Sequence, residues 1–70
     1  MFWIIDYFWR PEGTNLLLVG RIISPKPDQL ENEAEKLMKG ERGSISAIRG
    51  PFGTEHDAQV EPSPFVGLVM

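Results

Sequence analysis

Eight consecutive residues near the start of the chain, FWIIDYFW, contain seven aromatic or β-branched side chains and a single aspartate. Side chains of this kind suit the pleated surface of a β-sheet, so the run predicts a strand over Met1–Arg10. A second apolar run predicts a strand over Asn15–Ser24. Between the two runs, Pro11 and Gly13 favour a turn. The chain is therefore predicted to begin with a β-hairpin over residues 1–24.

Both faces of this predicted hairpin are apolar, whereas an antiparallel sheet with one solvated face alternates apolar and polar residues. If Trp9 lies opposite Leu16, the odd-numbered side chains of the first strand form one continuous apolar row with the second strand. In the same register Asp6 lies opposite Val19 and diagonal to Arg21, close enough for an ion pair. We expect the odd-numbered face to be core. The even-numbered face is expected to be a protein interface formed by Phe2, Ile4, Phe8, Leu17 and Val19.

The length of the chain is the reason for expecting a partner. At 70 residues, the gain from burying apolar surface and the entropy cost of ordering the chain nearly cancel. The chain has no cysteine, which excludes disulfides and thiolate metal sites, and a single histidine disfavours a zinc site. We therefore expect no metal and no cofactor. Stability is expected to come from a protein partner or from self-association into a homo-oligomer.

A helix is predicted over residues 28–39. Asp28, with Glu31 three residues later, has the pattern of a capping box, and Gly40 is typical of the position just after a helix ends. Apolar residues recur at helical spacing and form one stripe: Leu30, Ala34, Leu37 and Met38.

The C-terminal half of the chain gives weaker signals. Residues 43–63 are predicted to hold a short strand over Ser44–Arg49 and then a long loop, and residues 64–70 a final strand. The predicted fold is a single small α+β domain over residues 1–70. It has the order ββαββ, with one helix packed on a small antiparallel sheet.

A short basic segment follows the predicted helix and could serve a ligand. Backbone N–H groups at the glycines of a tight turn, two nearby arginines and a flat aromatic ring suit a small phosphate-bearing or nucleotide ligand held between copies of the chain. The turn lacks the terminal Gly-Lys-Ser/Thr of a phosphate-binding loop. The candidate residues for this anion site are Lys39, Arg42, Arg49 and Phe52.

The one cluster of catalytic residue types is Glu55-His56-Asp57. A histidine base needs a carboxylate to orient it and a nucleophile within hydrogen-bond reach. Adjacent residues in a loop point in different directions, and no serine of the chain lies in a nucleophile-elbow sequence. The sequence therefore predicts no enzymatic activity and no catalytic residue. A small hydrolase that uses His56 remains the weakest alternative.

Charge and hydropathy narrow the partners further. The net charge of −3 disfavours nucleic acid, and no apolar run is long enough to cross a bilayer. The apolar N-terminus lacks the basic flank of a signal peptide, so a cytoplasmic location is expected. The sequence thus predicts a small acidic protein-binding module that acts through its hairpin, as an accessory subunit, an inhibitor or a viral (phage-type) effector. The alternative is a homo-oligomeric binder of a phosphate-bearing ligand.

Overall fold

The computed structural model of the protein describes residues 1–38 and 42–65. The predicted α+β class and the N-terminal hairpin are confirmed. In chain order the elements are β1 (Phe2–Trp9), β2 (Leu18–Ser24), a 3-10 turn (Pro27–Gln29), α1 (Leu30–Met38), β3 (Gly43–Ile45), β4 (Arg49–Phe52) and α2 (Glu55–Val60).

The sheet is built around β1, which is the only strand paired on both sides among the described residues. β2 runs antiparallel to β1 along its whole length. On the other side, β3 pairs with the C-terminal half of β1 and β4 pairs with its N-terminal half. The prediction of one strand over Ser44–Arg49 is therefore wrong: residues 46–48 separate two shorter strands, because the pairing with β1 is interrupted between them.

The hairpin register differs by two residues from the predicted one, since Trp9 pairs with Leu18 instead of Leu16. The connection between the two strands is longer than predicted and is stabilised by its own hydrogen bonds. Thr14 N–H donates to the carbonyl of Pro11 at 3.2 Å, and Arg10 Nη1 donates to the carbonyl of Asn15 at 2.9 Å. A shift of two keeps every side chain on its predicted face, because side chains alternate with a period of two. The shift also places Leu16 and Leu17, which were predicted to belong to the second strand, in the connection before β2.

α1 covers the odd-numbered face of β1. Its buried residues Leu30 and Ala34 pack with Ile5 of β1 in the core, and Met38 is buried at the end of the helix. Leu37, predicted to belong to the buried stripe, is 48% exposed. The buried arc is centred on Ala34, and Leu37 lies about 60° from that centre at 3.6 residues per turn.

The start of the helical segment also differs from the prediction. The segment begins with the 3-10 turn at Pro27, whose fixed φ is suited to a first helical position. Asp28 therefore lies inside the first turn and is not the N-cap, and Lys26 before it makes no side-chain capping bond. The predicted helix end at residue 39 and Gly40 lie outside the described residues.

The even-numbered face of β1 is partly covered by α2, in a region that was predicted to be loop. Thr54 is its N-cap, and the Thr54 Oγ1 accepts a hydrogen bond from Asp57 N–H at 3.0 Å. Ala58 of α2 is fully buried, as is Ile4 of β1. Of the predicted final strand, residues 64 and 65 form a turn, and residues 66–70 lie outside the described residues.

Candidate functional site

A buried ion cluster lies beneath α2, and Asp6 of β1 is at its centre. The Asp6 carboxylate is almost fully buried and is bound by Arg21 through two bonds, Nε to Oδ1 at 2.6 Å and Nη2 to Oδ2 at 2.9 Å. Arg49 of β4 also donates to Oδ2 through its Nη2. The ion pair that the sequence predicted between Asp6 and Arg21 is present, and the register makes the two residues direct cross-strand partners.

The two arginines of this cluster extend it to the C-terminal segment. Arg21 Nη1 donates to the carbonyls of Ala58 and Gln59, at 2.9 and 3.1 Å, near the end of α2, where helix carbonyls lack intrahelical partners. Arg49 Nη1 donates to the carbonyl of Pro62 at 2.8 Å. The hydrogen bond to Asp6 raises the pKa of Arg21, so this guanidinium stays charged. The cluster ties β1, β2, β4 and α2 together, which is a structural role.

The predicted anion-binding residues are not brought together within one chain. Arg49 is committed to Asp6 and Pro62, and its buried Nε has no partner in the described part of the chain. Arg42 lies at the C-terminal end of β1, where its carbonyl accepts from Arg10 N–H, whereas Phe52 pairs with Phe2 at the other end. At roughly 3.3 Å per strand residue, these ends are about 25 Å apart. The fourth residue, Lys39, lies outside the described residues.

The predicted interface residues are divided between the interior and the surface. Ile4 is fully buried within the chain, so it offers no surface in this fold. Phe2 is half-buried where β1 meets β4. Phe8 is half-buried, and its ring contacts that of Phe65 edge to face, with centroids 4.8 Å apart. Leu17 is half-buried and Val19 is 43% exposed.

Three of the seven exposed large apolar side chains in the described residues lie where the connection enters β2. Leu16 is 63% exposed and Leu18 is 41% exposed, and with Leu17 and Val19 they make four consecutive apolar residues. We call residues 16–19 the hairpin surface. Leu16 and Leu18 were predicted to lie in the core row, and they are exposed because the register moves the start of β2 toward the end of the sheet. The sequence feature that indicates this exposure is the unbroken run of four apolar residues. A strand with one buried face buries only every second side chain, so the others of the run face outward.

A cavity of about 230 Å³ adjoins the hairpin surface at the end of the sheet. It is lined by Phe8, Arg10, Leu17, Arg42 and Gly43. Two of these, Phe8 and Leu17, were predicted interface residues, and Arg42 was a predicted anion-binding residue, whereas Arg10 was missed. The cavity is lined by apolar side chains and by two arginines, of which Arg10 already donates through Nη1 to the carbonyl of Asn15. Such a lining suits an apolar side chain or an aromatic group that carries negative charge.

The predicted alternative of a histidine-based enzyme finds little support in the geometry. Glu55, His56 and Asp57 are exposed on the first turn of α2, and none of the hydrogen bonds found in the described residues joins His56 to a carboxylate or a hydroxyl. The hydroxyl of Ser46 is used structurally, since it accepts from Asp6 N–H and donates to the carbonyl of Ala47. Within residues 1–38 and 42–65, no group of three histidine or acidic side chains is placed to hold a metal ion.

A second cavity, of about 330 Å³, opens beside the ion cluster and is lined in part by Asp6, Arg21 and Glu61. Its charged groups are already engaged with one another or with Arg49.

In the described part of the chain, no helix has the length and apolar character needed to cross a membrane. Comparison with protein-family models, with curated proteins and with solved structures finds no match to this chain.

Proposed function

We propose that the protein is a non-enzymatic protein-binding module that acts through the hairpin surface, residues 16–19, and the adjoining cavity. The observation that carries this proposal is the exposure of Leu16, Leu18 and Val19 within four consecutive residues. Exposed apolar residues scattered singly over a surface need no explanation. Here three lie together at one end of the sheet, with Leu18 on the odd-numbered face and Val19 on the other, so a partner that covers this end would contact both faces.

The exposed side chains of the hairpin surface would supply part of the free energy of a complex, and the adjoining cavity a further part. Complete burial of one large aliphatic side chain contributes about 1.5–3 kcal/mol, and these three residues are roughly half exposed. Their burial together is then worth about 3 kcal/mol. The cavity beside them adds a pocket for an apolar anchor of the partner, and the strongest interface contacts are side chains that fill such pockets. Arg10 and Arg42, which also line it, would supply orientation and charge complementarity.

We expect Leu16→Lys to prevent capture of the partner. The tagged chain and its variants would be used to recover proteins from the native cell, followed by mass spectrometry. Leu16 lies outside β2 and is mostly exposed, so the substitution should leave the thermal melt unchanged. Burial of an unpaired lysine in an interface costs several kcal/mol, so binding should fall at least about a hundredfold.

The matched control for this experiment is Leu37→Lys, which makes the same chemical change at an exposed leucine of α1. A protein recovered by the parent chain and by Leu37→Lys, but absent with Leu16→Lys, supports the proposal. Recovery of the same protein with Leu16→Lys at parental yield contradicts it.

A phosphate-bearing small molecule is the second candidate, favoured by the two arginines that line the cavity beside Phe8. Adenosine monophosphate is a suitable probe, because its phosphate would bind the arginines and its base would pack on the apolar wall. In calorimetric titration we expect Arg42→Ala to weaken binding at least about tenfold, which is ~1.4 kcal/mol. Lys26→Ala, at an exposed cation elsewhere, should have no effect. Equal affinity for the parent chain and Arg42→Ala, or no binding at all, would exclude this candidate.

A further inference from the structure

We propose that two copies of the chain associate through the outer edges of their β2 strands and form one continuous antiparallel sheet. The inference rests on the proposed function in that both place the contact surface on the hairpin and share Leu18 and Val19, but it concerns the backbone edge of β2, whereas Leu16 belongs to the hairpin surface alone. β2 is paired with β1 on one side, and no strand of the described residues lies on its other side.

The hydrogen bonds of Asp6 show which backbone groups of β2 face outward. Asp6 N–H donates to Ser46 Oγ at 2.9 Å and the Asp6 carbonyl accepts from Ser46 N–H at 2.8 Å, so both groups point away from β2. Asp6 and its partner Arg21 are therefore a non-hydrogen-bonded pair. The N–H and C=O of Arg21, and by alternation those of Val19 and Ile23, point to the open side of β2. No backbone or side-chain group of the described residues bonds them there.

The two edges of the sheet are protected very differently. The edge opposite β2 is divided into β3 and β4, of three and four residues, and carries Pro51, which has no N–H to donate. Short strands and prolines are devices that prevent edge-to-edge pairing. β2 has seven continuous residues and no proline or lysine. Its one charged side chain, Arg21, is bound to Asp6.

The outward-facing groups of β2 are self-complementary, so the occupant that we propose is the β2 strand of a second copy. When a two-fold axis passes through Arg21, Val19 of each copy lies opposite Ile23 of the other, and the two Arg21 residues face each other. This register lets all three outward-facing residues of each copy exchange both backbone hydrogen bonds.

The side chains are compatible with the same register. Val19, which is 43% exposed, would pack against Ile23 of the other copy. Gly20 would lie opposite Ile22, a small residue opposite a large one. The two Arg21 guanidinium groups would lie on the same face. Each is bound to its own Asp6 through two hydrogen bonds, which reduces their mutual repulsion, although Asp6 is shared with Arg49.

The test measures mass and amide hydrogen exchange of the full chain over a roughly hundredfold range of concentration. We expect a monomer–dimer equilibrium by light scattering. We also expect the amides of Val19, Arg21 and Ile23 to become protected as concentration rises, whereas those of Gly20 and Ile22, bonded to β1, are protected throughout. The parent chain alone gives this readout, so it does not depend on any variant folding.

Val19→Lys should weaken the dimer at least about tenfold, because a charged residue on an edge strand opposes pairing. Val60→Lys, at an exposed valine of α2, should leave it unchanged. A monomer at every concentration, a dimer insensitive to Val19→Lys, or protection of the three amides only by a foreign protein would overturn the proposal.

Leu16→Lys reports on the proposed function separately, since Leu16 is not part of β2. If the parent chain captures a partner, Leu16→Lys does not, and the parent chain never dimerises, this inference alone is refuted. If the parent chain dimerises but captures no partner, the proposed function alone is refuted.

Discussion

Asp6→Ala is expected to abolish the cooperative thermal melt of the chain. The substitution removes the one carboxylate that binds both Arg21 and Arg49, which are 16% and 27% exposed. Removal of one partner from a buried ion pair costs about 3–5 kcal/mol, because a charge is left buried without compensation. Natural domains have only about 5–15 kcal/mol of stability, and a chain of this size is at the lower end. Circular dichroism during heating is the measurement.

Two further variants show whether the loss comes from uncompensated charge. Glu61→Gln removes a carboxylate 3.8 Å from Arg49 that is 37% exposed, and a surface pair of this kind contributes about 0–1 kcal/mol. Its melt should stay close to that of the parent. Combining Asp6→Leu with Arg21→Met and Arg49→Met should restore much of the stability, since replacing a whole buried cluster by apolar residues is often neutral. A cooperative melt of Asp6→Ala near the parental temperature would show that the cluster is not needed for folding.

This cluster also shows how far the sequence could predict the structure. The pairing of Asp6 with Arg21 follows from strand alternation, because each is the only charged residue of its strand and both lie on the same face. Arg49 was instead assigned to an anion site. Its position depends on the pairing of β4 with β1 across more than forty residues of chain, and no local pattern encodes that pairing.

The errors have local physical causes. The hairpin register depended on the length of the connection, which is stabilised by hydrogen bonds of Thr14 and Arg10 that the alternation of apolar residues cannot show. The sequence pattern predicts loop where α2 forms, because α2 has only six residues and one buried side chain, Ala58. Its N-cap, Thr54, with Asp57 three residues later, was a usable signal.

That missed helix changes the interpretation of the hairpin. The sequence indicated that something must cover the even-numbered face, and part of the cover is α2 of the same chain. Ile4 is buried there, whereas the hairpin surface lies at the end of the sheet. The interface expected along the whole face is therefore proposed for residues 16–19 and the edge of β2, where apolar side chains are exposed and the backbone groups have no partner among residues 1–38 and 42–65.

Leu30→Asp is expected to unfold the chain, whereas Leu37→Asp should be tolerated. The sequence placed both leucines in one buried stripe of α1, but Leu30 is fully buried against Ile5 and Ala34, and Leu37 is 48% exposed. An aspartate at position 30 would place a carboxylate in the core without a partner, at a cost of several kcal/mol, in addition to the lost packing of the leucine. At position 37 the carboxylate would remain in water, and the expected change is within about 0.5 kcal/mol.

The pair of variants tests how α1 is seated on the sheet. Both substitutions make the same chemical change on the same helix and change the net charge equally. The helix dipole favours an aspartate at position 30, in the first turn, over one at position 37, near the end, so it opposes the expected difference and burial has to account for it. Urea unfolding followed by circular dichroism gives the free energy of each variant. If Leu37→Asp unfolds the chain as completely as Leu30→Asp does, α1 must be rotated so that both leucines face the sheet. If instead Leu30→Asp retains the parental stability, α1 does not pack on the odd-numbered face of β1, and the core formed by Ile5, Leu30 and Ala34 does not exist in solution.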